Sequence, residues 1–265
     1  MRSLFSIPFL VVSTLSVFES PSVSPVAEKQ PISVSGNITS IKHESGLPQL
    51  PVKIHYTFTS DGFVHATGIV TNTTGHWLSN VFLRIDIVDA QGKKLKVRNL
   101  VEENFKSGAS DDFSLAISCI PPNAEVPFEY LRDMKRIEGV YNKLTLKAEG
   151  VIVNGGGTEL SITQTESKKE YGAIISRGTV ALESGSCHTP GVVAVGYDKM
   201  GKVQKVTSNV VYKNNDGNAM GESFTDFSVG DKGYFKITLR PSYNTKGKPV
   251  GELQTVKLFS TCKCQ

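Results

Sequence analysis

Tryptophan occurs once in these 265 residues, and methionine and cysteine four times each. No stretch reaches the ~20 consecutive apolar residues of a bilayer span, so no integral membrane span is expected once an N-terminal leader is removed. Charge of one sign is missing too. Lys and Arg number 29 against 25 Asp and Glu, a net +4 spread along the whole chain, which gives no footprint for nucleic acid. Four cysteines are too few for a disulfide scaffold of this length, though enough for one or two bridges. His-Glu-x-x-His, the P-loop, the dinucleotide glycine fingerprint and the Gly-x-Ser-x-Gly elbow are all absent, so no cofactor and no enzyme class is implied. What is present, 39% hydrophobic and 20% charged residues, suits a packed globular chain.

Met1-Arg2 precedes an apolar stretch from Leu4 to Phe18, closed by Glu19-Ser20-Pro21. That length fits the ~7–15 residues of a secretory h-region better than a bilayer span. Residues 1–19 are therefore read as a signal peptide, with Thr14-Leu15-Ser16 or Ala27 offering small residues for cleavage. No Cys follows, which argues against a bacterial lipoprotein anchor. Residues 20–45, rich in Ser, Pro and Val at the start, are read as a linker, because prolines do not sit in a central strand or helix interior. The location expected is secreted or extracytoplasmic, periplasm or cell surface in a bacterium. There Cys119, Cys187, Cys262 and Cys264 are expected to be oxidised. Two sequons, at Asn37 and Asn72, matter only in a eukaryotic secretory host.

Beyond the linker, apolar and polar residues alternate in short runs broken by Gly, Asn and Asp, with no helical period; the chain reads as all-β. Val52, Ile54, Tyr56 and Phe58 share one strand face. A three-residue loop with left-handed Gly62 pairs them with Val70, Gly68, Ala66 and Val64, which keeps that face apolar; a two-residue turn would not. Gly68 then leaves room for a close neighbour. The same register puts His55 and His65 on the polar face as diagonal neighbours within ~7–8 Å, where a bridging metal is conceivable. The simpler reading is two solvent-facing histidines, since a metal needs a third ligand.

The chain repeats. Gly68 to Gly178 is an offset of 110, Asp89 to Asp198 of 109, and Phe128 to Phe235 of 107, a drift that loop deletions would produce. Each Asp-x-x-Gly-Lys reads as a tight turn in which Asp accepts backbone bonds and Gly takes positive φ. Asn154-Gly155-Gly156-Gly157 reads as a flexible hinge between copies. The expected units are residues 46–153 and 158–265, each with strands recurring at the ~8–12-residue spacing of a β-sandwich.

These residues resemble the FxLYD family of bacterial and archaeal immunoglobulin-like domains. The resemblance rests on Gly68-x-Val70-x-Asn72, Asp89-x-x-Gly92-Lys93 and Pro122 before Phe128. In the second copy it rests on Gly178-x-Val180, Tyr197-Asp198-x-x-Gly201-Lys202 and Gly230 before Phe235. Val88 and Leu182 depart from the family's Tyr and Asn. The resemblance implies two tandem, exported immunoglobulin-like β-sandwich domains without a known activity, and supplies no functional residues.

Little else carries chemistry. Cys187 and His188, adjacent on an extended chain, point to opposite sides and cannot pair as nucleophile and base. Asp111-Asp112, with Glu102-Glu103, reads as a solvated loop and Trp77 as a core plug. Among three possible cysteine connectivities, sandwich topology favours an interdomain Cys119–Cys187 bond, with Cys262 and Cys264 paired or free. The competitor joins Cys187 to Cys262 or Cys264. The function expected is a non-catalytic binding or structural protein contacting a protein, glycan or envelope component. The alternatives are metal or redox handling through Cys262 and Cys264, with His55 and His65, and an enzyme site at the domain interface. The oligomeric state and the host organism are not legible.

Overall fold

Every regular element among the described residues is a strand, as the alternation predicts. The computed structural model describes residues 32–38, 46–58, 62–98, 106–108, 110–134, 137–154, 158–214, 221–243, 247 and 249–263. Residues 1–19, read above as a signal peptide, and Ala27, His43, Glu102, Glu103, Gly155 to Gly157 and Cys264 lie outside them. The N-terminal half contains β1 (Ile32–Ile38), β2 (Val52–Phe58), β3 (Phe63–Thr71), β4 (Trp77–Val88), β5 (Lys96–Arg98), β6 (Lys106–Gly108), β7 (Ser110–Ser114), β8 (Glu125–Asp133), β9 (Ile137–Glu138) and β10 (Lys143–Val153). The C-terminal half contains β11 (Glu159–Glu170), β12 (Ala173–Ser184), β13 (Cys187–Tyr197), β14 (Val203–Val210), β15 (Asp226–Phe227), β16 (Lys232–Leu239), β17 (Ser242–Tyr243), β18 (Pro249–Val250) and β19 (Thr255–Lys263).

These strands form several small antiparallel sheets. In the first half the orders are β1-β2-β3-β8, β10-β4-β7 and β6-β5-β9. In the second they are β11-β12-β16 and β17-β18, with a further sheet in which β13 pairs β14, β15 and β19. Among the described residues no sheet pairs a strand before residue 154 with one after residue 158. Ile32–Ile38, assigned to the linker by sequence, instead pairs with β2 as a strand. Its Ile32, Val34 and Ile38 alternate with polar residues, and that period outweighs the neighbouring prolines.

The first hairpin adopts the expected register, Val52 opposite Val70, Ile54 opposite Gly68, Tyr56 opposite Ala66 and Phe58 opposite Val64, with Gly62 at φ 89°. Gly68 has a specific task. A Cβ there would lie 2.7 Å from the Phe128 ring and 2.2 Å from the Lys53 carbonyl oxygen. Gly178 does the same in the second copy, 2.7 Å from the Phe235 ring and 2.2 Å from the Thr163 carbonyl oxygen. The turns match as well. Asp89 Oδ1 accepts the Gln91 and Lys93 amides at 3.0 and 2.8 Å, and Asp198 Oδ1 accepts those of Met200 and Lys202 at 2.8 and 2.9 Å.

Inward-facing residues build two cores. One gathers Val52, Ile54 and Phe128 with Leu83, Ile85 and Leu146; the other gathers Val180, Leu182, Phe227, Phe235 and Ile237. β13 belongs to both. Val192 and Ala194 enter the second core, whereas Val193, Val195 and Tyr197 enter the first, joined by Val203. A strand covered on both faces reads as an unbroken apolar run, which is what residues 192–195 show. Each buried aliphatic side chain is worth ~1.5–3 kcal/mol, so this packing docks the halves against each other. Pro31–Gln265 accordingly form one compact unit.

Candidate functional site

The polar face of the first hairpin is where the second half docks. Thr67 stands opposite Glu129 and His65 opposite Leu131, making His65 and Glu129 diagonal neighbours on β3 and β8. β14 lies against this face. Glu129 Oε1 is 3.2 Å from His65 Nε2 and accepts the Ser242 hydroxyl at 2.7 Å. Its Oε2 accepts the Val206 amide at 3.0 Å and lies 3.1 Å from Lys205 Nζ, which also donates to Ser242 Oγ at 3.1 Å. The His65 and Glu129 side chains are only 7% and 8% exposed. His65 is thus not solvent-facing and His55 is half-buried: alternation told which side of the strand is polar, and the second half covers much of that side.

The energetics of this cluster can be apportioned. Burial alone would raise the Glu129 pKa; hydrogen bonds from His65, Ser242 and the Val206 amide, with the Lys205 charge, outweigh it and hold the carboxyl at about 2. An ionised carboxylate only accepts, so His65 donates through Nε2. Burial lowers the His55 pKa, aided by the Lys202 charge and His65 and opposed by Asp198. Four convergent polar groups at a domain interface resemble the beginnings of an active site, yet the chemistry runs the other way. Ser242 donates its hydroxyl hydrogen bond to a carboxylate that is a very weak base, and Lys205 Nζ is engaged by Glu129 Oε2 and Ser242 Oγ. The cluster is an ion-pair clamp. His55 and His65 gain no third ligand: among the described residues no group of three His, Cys, Asp or Glu could hold a metal.

The cysteines correct the expected interdomain bond. β19 runs antiparallel beside β13, with His188 opposite Lys263, and this brings Cys187 to Cys262, not to Cys119. The two are bonded, 5.6 Å apart at Cα. The competing pairing is therefore the one formed. Cys119 is also in a disulfide, and Cys264 lies outside the described residues. With Cys262 oxidised, the Cys-x-Cys tail lacks the thiolate that metal binding through that residue requires. Cys187 is likewise no nucleophile, and its neighbour His188 pairs with Asp226 through Nδ1. Asp111 and Asp112 lie in strand β7 and not in a loop; Asp111 accepts the Tyr130 hydroxyl and an Arg132 N–H. Burial, with that carboxylate, pushes the Tyr130 phenol well up.

Beside the docked halves lies a groove of about 1100 Å³. Trp77, Ile117, Ile120 and Val126 supply one apolar wall, and Leu160, Ile162, Leu258 and Phe259 the other. Glu125 and Glu159 are the charged residues that line it. Trp77, half-buried at the start of β4, lines this groove and does not plug the core. β11 is hydrogen-bonded in its sheet only to β12, and β19 only to β13, so both groove-lining strands are sheet edges among the described residues.

Asn72 organises the first wall, a role the sequon reading missed. Its Nδ2 donates to the carbonyls of His76, Ile120 and Pro121 at 2.8, 3.3 and 2.9 Å, and its Oδ1 accepts Thr74 N–H at 3.1 Å. At 1% exposure, its amide is closed to glycan attachment in the folded chain. The strand-to-turn step Val70-x-Asn72 was the available signal, because Asn side chains bind nearby backbone in turns. No protein-family model matches the chain, and no curated protein matches it.

Proposed function

We propose that this chain is an exported, non-catalytic binding protein of two tandem immunoglobulin-like β-sandwiches, and that it holds a protein, glycan or envelope component in the groove between its halves. The observation carrying this reading is the apolar, acid-rimmed groove of about 1100 Å³, lined from both halves. Specific sites are concave, mostly apolar and carry few polar groups, and they collect at domain interfaces. The tandem arrangement is supported by the matched Gly68/Phe128 and Gly178/Phe235 contacts and the matched Asp89 and Asp198 turns. The FxLYD resemblance belongs to this proposal through the same residues. Export is supported by the Leu4 to Phe18 stretch and by the oxidised cysteines.

The test is capture from the extracytoplasmic fraction of the source cells, using the immobilised chain beside a Leu160→Glu, Ile162→Glu variant. A component retained by the first and lost by the second supports the reading. Capture that the variant does not change, or no capture at all, overturns it.

A further inference from the structure

From the groove's geometry we infer what kind of ligand it takes: an extended peptide segment in which basic residues alternate with apolar ones, bound as an added strand. This deepens the proposed function and rests on it. Three observations point the same way. First, β11 and β19 both line the groove and are both edges, each laddered to a single neighbour among the described residues. An edge strand offers unpaired backbone N–H and C=O groups, the template that strand addition uses. Natural edges are commonly blunted by lysine. β11 carries its lysines, Lys168 and Lys169, at the far end, beyond the Glu159 to Ile162 stretch that lines the groove.

Second, the walls are apolar, with the half-buried Trp77, Leu160, Ile162 and Phe259 available to side chains projecting at every second position. Third, the charged lining residues are both acidic, Glu125 and Glu159. Two carboxylates beside a low-dielectric wall favour cationic over anionic side chains, which sets specificity. The four residues from Glu159 to Ile162 span ~13 Å, so the bound core of the peptide is short.

Trp77 is the only tryptophan, so its emission reports on this groove alone. The probes are capped peptides about eight residues long: alternating leucine and lysine, alternating leucine and glutamate, and the leucine–lysine peptide N-methylated at every second amide. The full-length protein is titrated with each, and so is a Glu125→Lys, Glu159→Lys variant. The leucine–lysine peptide is expected to shift Trp77 emission saturably and to bind at least ~10-fold more tightly than the glutamate peptide, as charge matching implies. N-methylation is expected to weaken it by a similar factor, since it deletes ladder donors. In the charge-reversed variant the preference inverts. Equal affinity for both charge types, full affinity after N-methylation, a preference that survives charge reversal, or no Trp77 response each overturns the inference. If these titrations fail while groove-dependent capture succeeds, the binding reading stands and the strand-peptide ligand falls. If capture fails as well, both fall.

Discussion

Replacing Glu129 with Gln tests the clamp between the halves, and its effect can be worked from the structure. Lowering the carboxyl from 4.5 to about 2 on folding corresponds to ~3 kcal/mol at neutral pH. Because the folded value is the depressed one, this stability is present above the unfolded value of 4.5 and is lost as pH falls through about 2. Linkage gives about half of it remaining near pH 3 and almost none below the folded value. Glu129→Gln should therefore cost ~3 kcal/mol at pH 7, which for a chain of this size is a Tm lower by ~6–12 °C. The assay is reversible urea unfolding at a series of pH values between ~7 and ~2.5, for wild type and variant together. The gap between the two curves should narrow steadily on acidification. A variant within ~0.5 kcal/mol of wild type at pH 7, the scatter of ordinary surface changes, would refute the reasoning. So would a gap of constant width, which would mean that the loss is steric and not ionic.

Gly68→Ala and Gly178→Ala should each cost at least ~1–3 kcal/mol by overpacking, and Phe128→Leu should partly rescue the first while Phe235→Leu rescues the second; chemical denaturation checks both cycles. Asn72→Ala should cost ~1–2 kcal/mol, since it removes the side chain that ties the turn to His76, Ile120 and Pro121 while each of those carbonyls keeps another donor, and wild type secreted from a eukaryotic host should show no glycan at Asn72 by peptide mass spectrometry. Cys187→Ser with Cys262→Ser should lower stability by ~4 kcal/mol, the chain-entropy value for a bridge spanning 75 residues, read from the urea midpoint.

What could be read from the sequence, and what could not, follows from the range of the interactions. The first hairpin's register was legible because one face must stay apolar and the side-chain period is two. The matched glycines were legible because Gly68 and Gly178 each leave room for one aromatic ring. The docking of the halves left a trace in Val192 to Val195, whose unbroken apolar run signals cover on both faces, though such a run does not say what the second cover is. Glu129 left no local trace: its partners lie 64, 76 and 113 residues away, and each is an ordinary polar residue on an alternating strand. The cysteine pairing went astray because strand counting placed Cys187 at the junction, while the return of β19 beside β13 supplies the partner from within the same half. The groove could not be foreseen at all, since it exists only where two edges and a docked neighbour meet.

The central claim is that binding occurs in the groove that β11 and β19 line together, and hydrogen–deuterium exchange on the full-length chain with and without its captured component tests it most directly. The account predicts slowed exchange confined to residues 158–163 and 256–261 and to the facing segment 117–126. Protection that appears instead on the outer face of β4 and β10, around Phe82 and Lys147, with β11 and β19 unchanged, would contradict it.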